Sequence, residues 1–265
     1  MPGKYYIAVD CEGVACAVGT PGVGLAESEN YRFACLEATR EANAAARALF
    51  DAGADEVVVW DAHGSGVNLC YDELDERCRI LLGAGHKGRF VGLDSSWTAV
   101  LFIGYHAMGG TKDAVLAHTF SSKTLQTYKL NGEFAGELAI DAAYAGAHGV
   151  PVLFCASDDK CVKEALRTFG PIATVETKRS LSWNSALSRH PAAVCKDIYR
   201  TVLEAAQQGP NAAPFTLASP LSVEIRFPRA DLAAQAILID KDGCQFTFAD
   251  AFTRTGVVQS VLNLF

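Results

Sequence analysis

The chain has 265 residues, of which half are apolar and a fifth are charged, with a formal net charge of -7. That composition excludes a wholly disordered chain, and the negative charge argues against nucleic-acid binding through a basic surface. No apolar run approaches the roughly 20 residues that span a bilayer, so no membrane partner is expected.

Tyr5–Asp10 reads as a buried strand ending in an acid. Asp10 also interrupts the N-terminal segment too early for a secretory leader. Gly13–Gly24 is rich in glycine and small residues and reads as a loop. From about Ser28 to Leu49 the pattern is helical: Cys35, Ala38, Ala42, Ala45 and Leu49 share one face, and Gly53 offers a stop. Glu56–Trp60 is a second strand, Ile80–Leu82 a candidate third and Ala99–Tyr105 the clearest. Thr124–Leu130 alternates and runs into the turn signal Asn131-Gly132. Gly136–His148 reads as a helix stopped by Gly149, and Pro151–Cys155 as a strand. Ser157 is read as the N-cap of a helix reaching about Thr168, followed by Gly170. Ala192–Gln207 is a further helix, Leu221–Phe227 alternates, and the tail from Phe246 has helical character.

Strand and helix therefore alternate at least four times. The pattern predicts an α/β fold with a mainly parallel or mixed sheet flanked by helices, in two lobes with the active site in the cleft. A change of character near residue 150 suggests a metal-binding lobe over 1–150 and a smaller lobe over 151–265. The nine cysteines form no C-x-x-C pair. They are expected to be reduced, buried hydrophobes of a cytoplasmic protein.

Three predicted strands end in groups able to bind metal: Asp10-Cys11-Glu12-Gly13, Asp61-Ala62-His63-Gly64 and Gly104-Tyr105-His106-Ala107. Open α/β sheets bind ligands just outside the carboxyl ends of their strands. Residues two apart on an extended segment point the same way, which pairs Asp10 with Glu12 and Asp61 with His63 and turns Cys11 away. Glu137 opens a helix, and His118 follows His106 after a short glycine-containing loop. Carboxylates mixed with histidines suit zinc or another first-row divalent ion. Asp10, Glu12, His63, His106 and Glu137 suffice for two sites with open positions. Any one of these residues alone is more simply a cap or a hydrogen-bonded histidine; three strand ends in series favour a site. His86, His148 and His190 lack that placement.

Other motifs are discounted. Gly83–Gly88 matches a G-x-G-x-x-G pattern, but the next strand follows too soon for the helix such a motif needs. Gly19–Gly24 mimics a phosphate loop with Leu25 where lysine belongs. Ser65 lacks the flanking glycines of a nucleophile elbow. Asp158-Asp159 reads as capping and dipole compensation.

The strand-end motifs, with Asn131-Gly132, Gly136-Glu137-Leu138, Pro151-Val152-Leu153 and Asp158-Asp159, resemble the DppA-type D-aminopeptidases, which are dinuclear zinc peptidases. The order and spacing match from the first strand to about residue 160. The resemblance implies two zinc ions per chain, with Asp10 as the bridging carboxylate. Glu12 and His63 would complete one site, and His106 and Glu137 the other. It further implies His118 as a catalytic histidine and a ring-like homo-oligomer. Manganese or cobalt would also suit the ligands. The expected reaction is amide hydrolysis of short peptides, with an N-terminal D-residue, by a hydroxide bridging the two ions. The competing readings are a dinuclear hydrolase of another small amide or a phosphoester, and a non-catalytic small-molecule-binding protein.

Overall fold

A computed structural model describes residues 3–238, 243 and 245–264 of the chain. The first half runs Lys4–Val9 (β1), Tyr31–Asp51 (α1), Glu56–Asp61 (β2), Arg79–Leu81 (β3), Ala99–Ile103 (β4), Thr127–Leu130 (β5), Glu133–Phe134 (β6) and Glu137–Ala147 (α2). The second half runs Val152–Ser157 (β7), Asp159–Phe169 (α3), Ala173–Glu176 (β8), Lys178–Ser182 (β9), Ser185–Ser188 (β10) and Pro191–Gln208 (α4). It ends with Leu221–Arg226 (β11), Ala230–Gln235 (α5), Thr247–Asp250 (β12) and Thr253–Val258 (β13).

The central sheet has the order β3-β2-β1-β4-β7-β8, and every pairing in it is parallel. The parallel strands are near-continuous apolar runs because both faces are covered. Tyr5, Ile7 and Val9 face a core built with α1 and α4, while Tyr6 and Ala8 face a second core built with α2 and α3. The predicted helical face Cys35, Ala38, Ala42, Ala45 and Leu49 lies in the first of these cores. A second sheet, β12-β13-β11-β5-β6, is antiparallel. The two sheets are not successive halves of the chain, since each draws strands from both sides of residue 150.

Helix α2 lies between the sheets. Leu138, Ala142 and Ala145 pack on the parallel sheet, and Ile140 and Ala143 join the core of the antiparallel one. That double burial explains why α2 is apolar on nearly every side. It also fixes Glu137, the first residue of the helix.

Two sequence expectations are corrected. The N-cap of α3 is Asp158, whose carboxylate accepts from the backbone N–H groups of Lys160 and Cys161. Ser157 is instead the last residue of β7, and its hydroxyl donates to the Tyr105 carbonyl. The tail is not an α-helix: Thr247–Asp250 and Thr253–Val258 are strands, because β13 finds a long partner in β11. Its helical content is one 3-10 turn, Val261–Asn263, and Phe265 lies outside the described residues. Eight cysteines are described, all free; Cys11, Cys35, Cys155 and Cys161 are buried, but Cys70 is exposed.

The crossovers run one way from β1 to β3 and the other way from β4, so the order reverses between β1 and β4. Chains leaving those two strands cross closely. The Gly13 N–H donates to the Gly104 carbonyl at 2.6 Å. Gly104 has φ +72°, and a Cβ there would meet the Asp10 carbonyl oxygen at 2.1 Å. A Cβ on Gly13 would meet the Tyr105 carbonyl oxygen at 1.8 Å. Only glycine fits both positions. We expect Gly104→Ala to lower stability by about 3 kcal/mol, read from urea denaturation, because strain and a backbone clash add.

Candidate metal centre

The strand ends at the reversal point deliver the predicted side chains to one place. Asp10 and Glu12 follow β1, His63 follows β2, and His106 follows β4. Asp10, Glu12 and His63 each offer a ligand atom, and these lie within 4.8 Å of one another. His106, His118 and Glu137 form a second such group. Asp10 reaches both. Its Oδ1 is 2.8 Å from His63 Nδ1, and its Oδ2 is 3.5 Å from His106 Nε2. Cys11 turns into the core, as strand alternation requires.

The site is nearly dry: Asp10, Glu12 and His106 are 5%, 3% and 2% exposed. His106 Nδ1 faces the Ala107 carbonyl at 3.1 Å, and His118 Nδ1 faces the Leu116 carbonyl at 2.8 Å. A carbonyl only accepts, so each ring carries its proton on Nδ1 and presents the Nε2 lone pair to the cluster. The two rings stack at 3.9 Å with 15° between planes, an arrangement unfavourable for two free imidazolium cations. His106 Nε2 is 3.4 Å and His118 Nε2 is 3.8 Å from Glu137 Oε1.

The electrostatics of the cluster suit a cation. Burial alone would depress His106, but Glu137, Asp10 and Glu12 push it up to about 10. Burial opposes His63 in the same way, yet Glu12 and Asp10 raise it to about 12. Burial would raise Glu12 and Glu137, but the histidines hold both below the usual carboxylate range. The carboxylates thus seek positive charge from the nearest available groups. Glu12 Oε2 and His106 Nε2 are buried without a well-aligned hydrogen bond, their nearest polar neighbours being His63 Nδ1 at 3.1 Å and Glu137 Oε1 at 3.4 Å. Two buried ligand-type atoms left without aligned hydrogen bonds inside a cluster of carboxylates and imidazoles fit divalent ions. These residues therefore suit the metal their chemistry suggests.

Asp61 shared a face with His63 in the sequence reading but stays outside the cluster. Its oxygens accept from Asn68 N at 2.6 Å, Asn68 Nδ2 at 2.7 Å and Leu69 N at 3.0 Å. Asn68 Nδ2 in turn donates to the His63 carbonyl at 2.5 Å, so Asp61 holds the turn that carries His63. Among the predicted non-ligands, His190 caps α4 and His86 and His148 lie elsewhere.

Lys178 carries no local signal in the sequence. This lysine is 1% exposed, and its ammonium donates to the carbonyls of Glu12, Val14 (2.7 Å) and Ala17 (2.5 Å). It thereby ties down the loop that carries Glu12. Glu41, on α1, holds the same loop by accepting from Ala15 N at 2.8 Å. Nothing in a lone lysine reveals contacts more than a hundred residues away, nor in a lone glutamate one 26 residues away. Burial first, then neighbouring Glu37, pushes the Glu41 carboxyl up to about 8, against the Ala15 N–H and Lys178. The folded state thus keeps a proton that the unfolded chain releases above about 4.5. The resulting stabilisation is complete below that pH and is lost as pH rises through about 8. Relative to wild type, Glu41→Gln should gain on the order of 2 kcal/mol between pH 5 and pH 8, measured by urea denaturation at each pH.

The comparisons with known proteins agree with this geometry. The sequence model of the D-aminopeptidase family matches residues 4–246. A curated D-aminopeptidase of Bacillus subtilis (strain 168) is 33% identical over 192 residues, covering 71% of this chain and 68% of that protein. The solved structure of the Zn-dependent D-aminopeptidase DppA from Bacillus subtilis, described as a self-compartmentalizing protease, superposes with a TM-score of 0.86 at 26% identity. That match covers 98% of this chain and 93% of the other. The family match over nearly the whole chain and the shared fold show that this protein belongs to the D-aminopeptidase family.

Proposed function

We propose that this protein is a metal-dependent aminopeptidase that hydrolyses short peptides or amides with an N-terminal D-residue, using two divalent ions. Zinc is the first choice, because the solved relative is Zn-dependent; manganese and cobalt suit the same donors. Asp10, Glu12 and His63 would hold one ion, and Asp10, His106 and Glu137 the other. The observation that carries this reading is Asp10, whose two oxygens face the two halves of the cluster. Bound there, the ions supply a Lewis acid for the scissile carbonyl and lower the pKa of a water towards neutrality.

The protein's own groups do the rest. The Nδ1–H bonds to backbone carbonyls fix the imidazoles, so no reorientation is needed during turnover. Three carboxylates attract the α-amine of a substrate, which favours cleavage at the N-terminal residue. His118 lies at the rim of the cluster with its side chain 15% exposed, so it can exchange protons with water and substrate. We assign it the transfer of a proton to the departing amine rather than a place among the ligands.

The relative's self-compartmentalization supports a homo-oligomer here, ring-like as the family resemblance implies. The hairpin of β9 and β10 exposes Leu181 and Leu187, apolar surface suited to contacts between copies. The free cysteines favour a reducing, cytoplasmic setting.

The test is hydrolysis of D- and L-aminoacyl amides and dipeptides before chelation, after it, and after metal is returned. Release of the N-terminal D-residue, abolished by chelator and restored by zinc, is the expected result. Turnover of a generic phosphodiester with none of peptides would favour the phosphoesterase reading instead. His118→Ala should lower kcat by about 10²–10⁴ while leaving metal content at the wild-type level, measured by elemental analysis. A loss of metal in that variant would make His118 a ligand.

A further inference from the structure

The loop that carries His118 is strained. Leu116 has φ +51° and Phe120 has φ +58°, left-handed conformations that bulky residues rarely adopt. Such a backbone persists only where its surroundings over-determine it. Ahead of His118 those surroundings are the hairpin of β9 and β10. The Val115 N–H donates to the Ser180 hydroxyl at 3.2 Å. The Leu116 N–H donates to the Trp183 carbonyl at 2.9 Å. The indole N–H of Trp183 donates to the Ala117 carbonyl at 3.2 Å. Three consecutive residues are thus tied to one hairpin, and His118 comes next.

The hairpin is itself anchored. The Ser180 N–H donates to Asp159 Oδ1 at 2.8 Å, and its hydroxyl donates to Asp158 Oδ1 at 3.1 Å. Asp158 and Asp159, which the sequence offers only as capping residues, therefore also root β9 on the start of α3. Trp183 sits in the turn between β9 and β10 and packs against the core built with α1 and α4. Beyond His118 the contacts belong to the metal centre, where the Phe120 N–H donates to Glu137 Oε1.

The Leu116 carbonyl takes the Nδ1–H of His118, so the Leu116–Ala117 peptide sets the direction of the imidazole. Trp183 holds the chain on both sides of that peptide, by the Leu116 N–H and by the Ala117 carbonyl. We propose that Trp183 is a positioning residue for His118. Its two bonds keep the ring stacked on His106 with Nε2 turned to Glu137. The inference rests on the proton-transfer role assigned to His118 above. Without the indole bond, Leu116 relaxes towards ordinary backbone and the imidazole turns with it.

The test is a double-mutant cycle on the zinc-loaded enzyme with D-alaninamide as substrate. Trp183→Phe keeps an aromatic ring and removes the indole donor. It should lower kcat about tenfold, since rate falls steeply when a reacting group is misplaced. KM and zinc content should stay at the wild-type level. In a His118→Ala background the same substitution should leave kcat unchanged, whereas a merely structural role would lower it in both backgrounds. Trp183→Ala should show the same pattern with a larger loss. Wild-type turnover in both Trp183 variants, or an equal loss with and without His118, would overturn the inference and leave the role of His118 standing. Wild-type kcat in His118→Ala alone would remove His118 from the reaction and this inference with it. No hydrolysis by the wild type would sink the aminopeptidase reading and both assignments.

Discussion

Three carboxylates, Asp10, Glu12 and Glu137, meet almost out of water with only imidazoles for company. Such a cluster is strongly unfavourable unless positive charge compensates it. The histidines can supply that charge only as protonated rings, yet two of them are stacked and locked by their Nδ1 bonds. A divalent cation resolves the conflict with fewer constraints. Much of the surrounding architecture serves to keep this unfavourable cluster assembled. The reversal of strand order places β1 and β4 side by side. Burial of α2 between two sheets fixes Glu137, and Lys178 and Glu41 hold the loop that bears Glu12.

The parallel half of the fold was legible because its signals are local. Apolar runs of strand length, each ending in a polar motif, mark β1, β2 and β4, and a periodic alanine-rich face marks α1. The five strand-end and helix-end residues do converge, since strand ends on one side of a parallel sheet are neighbours whatever the details of the helices. The antiparallel half was harder. Strand β13, which holds β12, pairs with β11, and β11 pairs in turn with β5, a chain of sequence-distant partners that no local pattern can announce. Helix α3 was placed correctly, but its cap was shifted by one residue because Ser157 and Asp158 are both good caps. The choice was made by Tyr105, whose carbonyl takes the Ser157 hydroxyl.

The same distinction separates the proposed ligands from their supports. Asp10, Glu12, His63, His106 and Glu137 sit at recognisable positions. Lys178, Glu41 and Asp61 act through contacts made only in the folded chain: three carbonyls, a backbone N–H and a turn. The glycine-rich loop 83–89 shows a local rule that sufficed. It matches G-x-G-x-x-G, but no helix lies between β3 and β4, as the short spacing to the next strand implied.

The central claim is that the two halves of the cluster each hold a divalent ion with Asp10 between them. Elemental analysis after chelation, zinc return and removal of excess metal tests it directly, on wild type, Glu12→Gln and Glu137→Gln. These substitutions keep side-chain size and remove one charge from either half. The account predicts two zinc ions per wild-type chain and fewer in each variant, with circular dichroism unchanged. No bound zinc in the folded wild type, or the same content in all three proteins, would contradict it.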